Sequence, residues 1–416
     1  MIKVIGDVML DYWVEGDSDR VSPEAPVIVF KEKTKNYNLG GAGNLALNLS
    51  NLGTYTWLYG AVGKDIAGQK IIEMLQQKNI TSCVCQDAEM TTTKSRMVGQ
   101  NGHHLLRVDR EQVYTKTTVE EELLKDLTET DIVLISDYSK GVIQKDTVQK
   151  ILTKCKNVYV DSKQGFGKYI GAFLVKPNMK EYEVWFGKFN IEIAQSRCEA
   201  NLWTWLIVTD GENGIHVVSK DSYKHIKGDA IEVSDVSGAG DTVLAIIAHY
   251  SQFKDIPNAC ELANKGAQKV VQRRGVSIVS KTDIEDVIVW TNGVFDILHT
   301  GHFELLKFAK QQGNILIVGI NSDTSVKKLK GKNRPYNNSV IRKQQLLELP
   351  WVDKVVVFKE NTPIESIKAI KPDIIVKGGD YTLETTVGNE LADVRIFPTV
   401  KGFSTSDIVH KVKVNE

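Results

Sequence analysis

The apolar residues of this chain fall into short runs rich in β-branched and aromatic side chains, separated by longer stretches whose apolar positions recur every three or four residues. VIGDVML precedes GNLALNLSNLG, TWLYGAVG precedes AGQKIIEMLQQ, and DIVLISDYS, NVYVDS, AFLVKP and WLIVTDG follow. Strands alternating with helices predict an α/β protein with a largely parallel sheet. One stretch breaks the rhythm. TTTKSRMVGQ and HHLLRVDRE are extended runs meeting at Asn101-Gly102, a pair that supplies the positive φ angles of a tight hairpin. Together with PVIVFKEKTKNY this hairpin is expected to stand off the main sheet as a small flap. A second series of strands and helices begins at DVIVWTNG and runs through FELLKFAKQQG, NILIVGINSD, VDKVVVF and DIIVKGGD to an amphipathic segment near Ser406 to Val412. Only GVSIVSKTDIED lies between the two series. Domains are therefore expected at residues 1–280 and 286–416, close together on a short polar connection.

Composition narrows the class of ligand. The 416 residues carry 52 Lys+Arg against 52 Asp+Glu, so no global basic field attracts nucleic acid or an anionic membrane, and a small-molecule partner is expected. Cys83, Cys85, Cys155, Cys198 and Cys260 are odd in number and carry no zinc or redox spacing, which predicts reduced thiols in a cytoplasmic protein. MIKVIGDVMLDYW lacks the apolar core and cleavage site of a signal peptide, and no uncharged run approaches the roughly 18 apolar residues of a membrane span.

Candidate chemistry sits where strands give way to helices. In DVSGAGDTVLAIIAHY the small residues Gly238, Ala239 and Gly240 open an apolar helix expected to begin near Asp241. Amides converging at such a helix start bind an anion, and an adjacent carboxylate can take the proton of an attacking hydroxyl. A helix-capping Asp is an equally good reading of Asp241 alone. LGGAGNLALNLSNLG places Gly40, Gly41 and Gly43 before a helix that carries Asn44 in its first turn and ends near Gly53; a tight turn explains it without function. In KPNMKEYE, Asn178 and Glu181 have the spacing of a capping box, or Glu181 holds hydrated Mg²⁺ beside ATP phosphates. VTDGENG, with Thr209 and Gly211, is a nucleotide-contacting loop or a β-turn.

The second series has its own cluster. In VIVWTNGVFDILHTGHFELLKFA, a strand and a turn with Asn292 and Gly293 lead to His299 and His302 at the mouth of a helix. Spacing of three turns both imidazoles to one side, where they and the helix-terminal amides can meet a triphosphate. A metal pair is the rival reading, without an obvious third ligand. KKLKGKNRP brings Arg334 in a basic loop, VKGGD brings Lys377, Gly378 and Asp380 after a strand, and GFSTSDIV brings Ser404 and Thr405 to a helix start.

In this order, SPEAPV, LGGAGN, GAVGKDIAG, SDYSKG, NMKE, TDGENG and GAGD resemble the ribokinase-like sugar kinases over residues 1 to 280, and within them the heptose 7-phosphate kinases. TNGVFDILHTGH, NSD, RP, VKGGDY and GFSTS resemble the HxGH nucleotidyltransferases over residues 286 to 416, and within them the heptose 1-phosphate adenylyltransferases. The resemblance implies a three-layer α/β sandwich with a β lid, followed by a smaller Rossmann-like domain. It also implies ATP and Mg²⁺ in a bifunctional enzyme of ADP-heptose synthesis, dimeric through the kinase lid. By the same likeness Asp241 is the base, Gly238 to Gly240 form the anion hole, and Asn178, Glu181, Thr209 and Gly211 lie near Mg-ATP. Asp11, Gly41 and Asn44 would contact the sugar. His299 and His302 would stabilise transferase phosphates, with Asn292, Gly293, Phe295, Arg334, Lys377, Gly378, Asp380, Ser404 and Thr405 binding ATP. The chain departs from the family in its short interdomain connection, in Ser162 where proline is usual, and in Gly43 where alanine is usual. The alternatives are the same chemistries on another sugar phosphate, or a non-catalytic nucleotide or sugar sensor, against which Asp241, His299 and His302 argue.

Overall fold

Successive residues of the strand Ile132–Asp137 point to opposite sides, and both sides are buried. Leu134 packs into one apolar core, while Val133 and Ile135 pack into another. A strand buried on both faces reads as a continuous apolar run, which is why these segments announce a covered parallel sheet. The computed structural model describes residues 1–398 apart from 79, 100–101, 115–117, 230, 232–233, 274–276 and 380. Contacts divide the chain into two compact units, Met1–Ile284 and Glu285–Glu416.

The first unit is built on a nine-stranded sheet. Its order is Tyr223–Lys227, Gly214–Val218, Trp205–Thr209, Leu174–Val175, Asn157–Ser162, Ile132–Asp137, Ile2–Gly6, Thr56–Gly63 and Thr81–Ala88. Gly214–Val218 runs antiparallel to both its neighbours, Tyr223–Lys227 and Trp205–Thr209, and every other pair in the order is parallel. Helices Ala42–Asn51, Ala239–Tyr250 and Ile256–Val271 contribute to one core, and helices Val119–Asp126, Lys145–Lys154 and Ile191–Ala200 to the other. The last turn of the unit, Lys281–Ile284, is tied down by Asp283, which accepts from the Ser280 N–H at 2.8 Å and pairs with Arg273.

The expected flap is a separate four-stranded sheet in the order Ile28–Gly41, Val8–Val21, Thr93–Val98, His104–Arg110. Thr93–Val98 and His104–Arg110 pair antiparallel, and Gly102 in their turn has φ 77°. Asn101 lies outside the described residues. VIGDVML, read from its pattern as one strand, is two: the chain leaves the main sheet at Gly6 and enters the lid at Val8. Asp7 makes the change. Its carboxylate accepts backbone N–H groups of Tyr138, Lys140 and Val142 at 2.7, 3.0 and 3.3 Å. Both pieces are apolar and buried, so one polar residue between them does not interrupt the hydrophobic signal.

Two helix starts also differ from the expected ones. Gly41 caps Ala42–Asn51 with φ 57°, so Gly43 lies inside the helix rather than before it. A Cβ on Gly41 would stand 2.3 Å from the Asp7 carbonyl oxygen, which leaves glycine as the residue that fits. The helix of GAGD starts at Ala239, placing Asp241 third in it.

The second unit holds a parallel five-stranded sheet in the order Lys354–Phe358, Ile315–Asn321, Ile288–Gly293, Ile374–Gly378, Asp393–Phe397. Strand order reverses beside Ile288–Gly293, and ligands of such sheets bind outside the carboxyl ends at that reversal. Arg342 is fully buried there. Its guanidinium donates to the carbonyls of Asn337, Val294 and Asn321 at 3.0, 2.7 and 2.8 Å and pairs with Asp323 at 2.7 Å. The segment near Ser406 to Val412 lies outside the described residues. Arg342→Met is expected to destabilise this unit by about 3 kcal/mol, because three carbonyls and a carboxylate lose their donor. Chemical denaturation followed by fluorescence would show it, with unfolding of the first unit unmoved.

Candidate active sites

Asp241 is 3% exposed and sits in the first turn of Ala239–Tyr250, where helix amides have no intrahelical acceptor. Gly238 turns the chain into this helix in the left-handed region, φ 79°. Asn44, brought in by the helix after Gly41, donates to Asp241 Oδ2 at 3.1 Å. The Tyr138 hydroxyl lies 3.4 Å from both carboxylate oxygens. Burial, followed by the nearby charge of Asp161, pushes the Asp241 carboxyl up to about 6, against the pull of Asn44, Lys163 and Lys176.

Beneath the helix start lies a charge cluster. Asp161 pairs with Lys176 at 2.9 Å and with Lys163 at 3.0 Å, and Lys163 also reaches Glu181 at 3.1 Å. Burial alone would raise the Asp161 carboxyl, but the two ammonium groups bring it down to about 2. A Cβ on Gly240 would stand 3.4 Å from Lys176 Nζ, so the glycine turn lies directly against this cluster. Asn178 and Glu181 form both halves of a capping box, the Asn178 side chain accepting from the Glu181 N–H and Glu181 from the Asn178 N–H, each at 2.8 Å. Thr209, Gly211, Ala239 and Gly240 line a cavity of about 390 Å³ with Ile215 and Val243, room for a nucleoside.

Asp11 lies on the lid, 6% exposed and paired with Arg96 at 2.8 Å. Gly40 lets the outer lid strand approach it, since a Cβ there would meet Asp11 Oδ2 at 2.6 Å. Asp161, Lys163, Lys176 and Tyr138 were not among the residues singled out from the sequence. The available signal was a charged side chain directly after an apolar strand, in NVYVDSK and AFLVKP, which places it at the carboxyl end of the sheet.

In the second unit His299 caps the helix Thr300–Gln311 and His302 follows in its first turn. Their rings stack with centroids 3.8 Å apart, and Phe295 packs on His302 at 5.0 Å. Burial, then the neighbouring His299 and Lys330, hold His302 down at about 4, and burial also lowers His299. Both are neutral at pH 7. At the adjacent strand ends Lys377 Nζ donates to Asn292 Oδ1 at 2.6 Å, and burial lowers its ammonium to about 8. Phe295, with φ 49°, closes over Gly293, where a Cβ would stand 3.0 Å from its ring. Arg334 pairs with buried Asp296 at 2.9 Å and stacks on Tyr336. Asp296 also accepts the N–H groups of Tyr336 and Asn337, each at 2.9 Å, and thereby shapes the RPYN loop; it too was missed. Gly378 ends its strand beside Lys377, while Asp380, Ser404 and Thr405 lie outside the described residues.

Residues 1–283 match the pfkB family of carbohydrate kinases, and residues 290–411 match the cytidylyltransferase-like family. A protein of Nitratiruptor sp. named bifunctional protein HldE is 37% identical over 459 aligned positions, covering 99% of each chain. The Helicobacter pylori (strain J99) protein of that name is 39% identical, covering 99% of this chain and 98% of its own. The chain belongs to the HldE family. The 459 aligned positions exceed the 416 residues of this member, so the alignment opens gaps in it. For the fold of the kinase unit, ribokinase from Thermotoga maritima superposes with TM-score 0.55 at 20% identity, over 68% of this chain and 97% of its own. Phosphofructokinase-2 from Escherichia coli does so with TM-score 0.58 at 15% identity, over 68% and 96%. This HldE-family chain thus joins a carbohydrate-kinase unit to a nucleotidyltransferase-like unit, and among its described residues no helix is long and apolar enough to cross a membrane.

The raised Asp241 carboxyl has a stability consequence. Its folded value, about 6, lies above the ordinary 3.8, so ionisation at neutral pH works against the fold, and this cost vanishes as pH falls toward 4. Asp241→Asn is therefore expected to stabilise the first unit at pH 8 by on the order of 2 kcal/mol. Thermal melts across pH 4 to 8 should show the gain shrinking through pH 6.

Proposed function

We propose that this chain makes an ADP-sugar in two separated steps, the sugar being D-glycero-β-D-manno-heptose. The observation that carries it is one chain holding both a buried carboxylate at a glycine-led helix start and a stacked histidine pair at another helix start.

In the first step Asp241 takes the proton of the anomeric hydroxyl of heptose 7-phosphate. The freed oxygen bonds to the γ-phosphorus of ATP, the bond to the β–γ bridging oxygen breaks, and ADP leaves. The Gly238, Ala239 and Gly240 turn offers its amides to the transferring group. Lys176 and Lys163 stand at that turn to balance its charge, each held by Asp161. Asn44 keeps the Asp241 carboxylate oriented, and Asp11, Gly41 and Asn44 surround the sugar. Thr209 and Gly211 belong to the nucleotide cavity.

Mg²⁺ fits this site only through water. One Glu181 oxygen accepts the Asn178 N–H and the other faces Lys163, so the carboxylate can bind water but not enclose an ion. Among the described residues no group of three His, Cys, Asp or Glu could hold a metal. The ion would be carried by ATP phosphates, whose charge it offsets, with Glu181 and Asn178 at its hydration shell.

In the second step, after the 7-phosphate has been removed elsewhere, a sugar 1-phosphate oxygen bonds to the α-phosphorus of a second ATP. Pyrophosphate leaves as the α–β bridge breaks, giving ADP-heptose. Neutral His299 and His302 donate N–H groups to phosphate oxygens, and an arriving triphosphate favours their protonation. Lys377, held by Asn292, and Arg334, with Gly293, Phe295, Gly378, Asp380, Ser404 and Thr405, complete the nucleotide site. Five unbridged cysteines support a cytoplasmic setting. Exposed Val21, Val27 and Ile28 on the lid support a homodimer through it.

Asp241→Asn should lower kinase turnover about 10³-fold while adenylyl transfer from heptose 1-phosphate is retained, read by phosphorus NMR. The wild-type kinase rate should rise with pH through a limb near 6, as Asp241 ionises. His302→Ala should lower adenylyl transfer at least about 10²-fold and spare the kinase. Kinase turnover at the wild-type level in Asp241→Asn would overturn the general-base assignment.

A further inference from the structure

A buried carboxylate is tolerated only where several donors meet it. Asp7, 1% exposed, turns its oxygens to the backbone N–H groups of Tyr138, Lys140 and Val142. Alternate amides converge on one acceptor only where the chain is sharply bent, and here Ser139 has φ 61° and Gly141 φ 98°. Glycine enters that region freely and serine does not, so Ser139 is held there by its surroundings. The Asp137 carboxylate accepts the Ser139 N–H at 2.8 Å, while its other oxygen is engaged by Lys168 at 2.6 Å and by the Tyr169 hydroxyl. Tyr114, shortly after the last lid strand, donates its N–H to the Lys140 carbonyl at 2.6 Å. The loop 138–142 is thus bent against its own preference and fixed from both sides by carboxylates.

That fixing delivers the Tyr138 side chain, whose hydroxyl lies 3.4 Å from both oxygens of Asp241. Asp7 also governs the second donor on the same carboxylate. Its carbonyl accepts the Ala42 N–H at 3.0 Å, at the start of the helix whose first turn carries Asn44, and Asn44 donates to Asp241 at 3.1 Å. The N–H of Asp7 donates in turn to the Ser136 carbonyl at 3.1 Å, on the strand that leads into the loop. One residue at the crossing from main sheet to lid therefore reaches the base twice, by its side chain through Tyr138 and by its backbone through Asn44. A base that must accept a proton along one direction gains from donors that hold its plane, since a misplacement of about 1 Å can cost on the order of 10²-fold in rate.

We propose that Asp7 is a positioning residue of the kinase step: by holding the loop 138–142 it sets the Tyr138 hydroxyl on Asp241 and so orients the base without itself touching substrate. This rests on reading Asp241 as the general base. It deepens that reading by naming what keeps the carboxylate aligned.

Asp7→Asn keeps the shape of the side chain and removes its charge. Burial, the largest influence, already holds the Asp7 carboxyl up at about 6, so a neutral group there is compatible with folding. Steady-state kinetics with Mg-ATP in the full chain would compare wild type, Asp7→Asn, Tyr138→Phe and the double variant, with heptose 7-phosphate and fructose 6-phosphate in parallel, whichever is turned over carrying the comparison. In each single variant kcat should fall about 10-fold while KM for Mg-ATP stays within about twofold. The double variant should lie within about twofold of the slower single one, because Asp7 acts through Tyr138. Combined with Asn44→Ala the Asp7→Asn loss should instead multiply, since the substitution leaves the carbonyl that holds the Asn44 helix. Asp7→Ser, smaller and still an acceptor, gives the same comparison should Asp7→Asn not fold. Unchanged kcat in Asp7→Asn, a multiplied loss in the double variant, or equal coupling to Asn44→Ala, the mark of general distortion, would each overturn the positioning role and leave the base in place. Full kinase turnover in Asp241→Asn removes the base reading, and the Asp7 proposal with it.

Discussion

The kinase unit depends on a carboxylate kept in a buried site where, among the described residues, no cation pairs with it directly. Asp241 is surrounded by an amide, a phenol and a second carboxylate, while the two nearest lysines are committed to Asp161. Pairing Asp241 directly with an ammonium would lower its proton affinity and make it a poorer base. Leaving it wholly unsatisfied would be too costly in a low-dielectric interior. The arrangement between these limits raises the carboxyl to about 6, close to the working range of a general base. Everything nearby serves that compromise. The turn at Gly238 delivers the helix start, Gly41 delivers Asn44, and Asp7 holds the loop that delivers Tyr138.

The transferase unit uses burial in the opposite sense. Its acidic groups, Asp296 and Asp323, are committed to arginines and backbone, and its candidate chemistry lies on bases that burial keeps uncharged. Stacking His299 on His302 makes protonating both unfavourable until an anion arrives. Such a site is electrostatically complementary to an anion. In both units the candidate group stands in the first turn of a helix, where the free amides already favour negative charge.

Much of this was legible in the chain. Period-two and period-four patterning announced two series of strands and helices, and the hairpin around Asn101-Gly102 separated the lid from the main sheet. GAGD, NMKE and HTGH named helix starts because glycine, capping residues and histidine at those spacings have few other uses. The boundaries that slipped were local. VIGDVML hides a change of sheet, since a buried Asp between two apolar runs leaves the hydrophobic signal unbroken, and the helix start at Ala239 depends on a left-handed glycine three residues before Asp241.

What the sequence determined by itself was the order of elements, the pairing of a carbohydrate-kinase unit with a nucleotidyltransferase-like unit, and the residues on each helix start. The order of elements and the helix starts follow from local periodicity and short-range spacing, and the pairing of the two units from the resemblance of their short motifs to two families, all of which the linear chain carries. What only the tertiary structure decided was which charges meet: Asp161 between Lys163 and Lys176, Lys377 on Asn292, and Arg342 among three carbonyls. Several of those partners lie far apart in the chain, Lys377 85 residues from Asn292 and Arg342 48 residues from Val294. The energy of a buried charge depends on every group within a few ångströms, and no linear spacing encodes that neighbourhood.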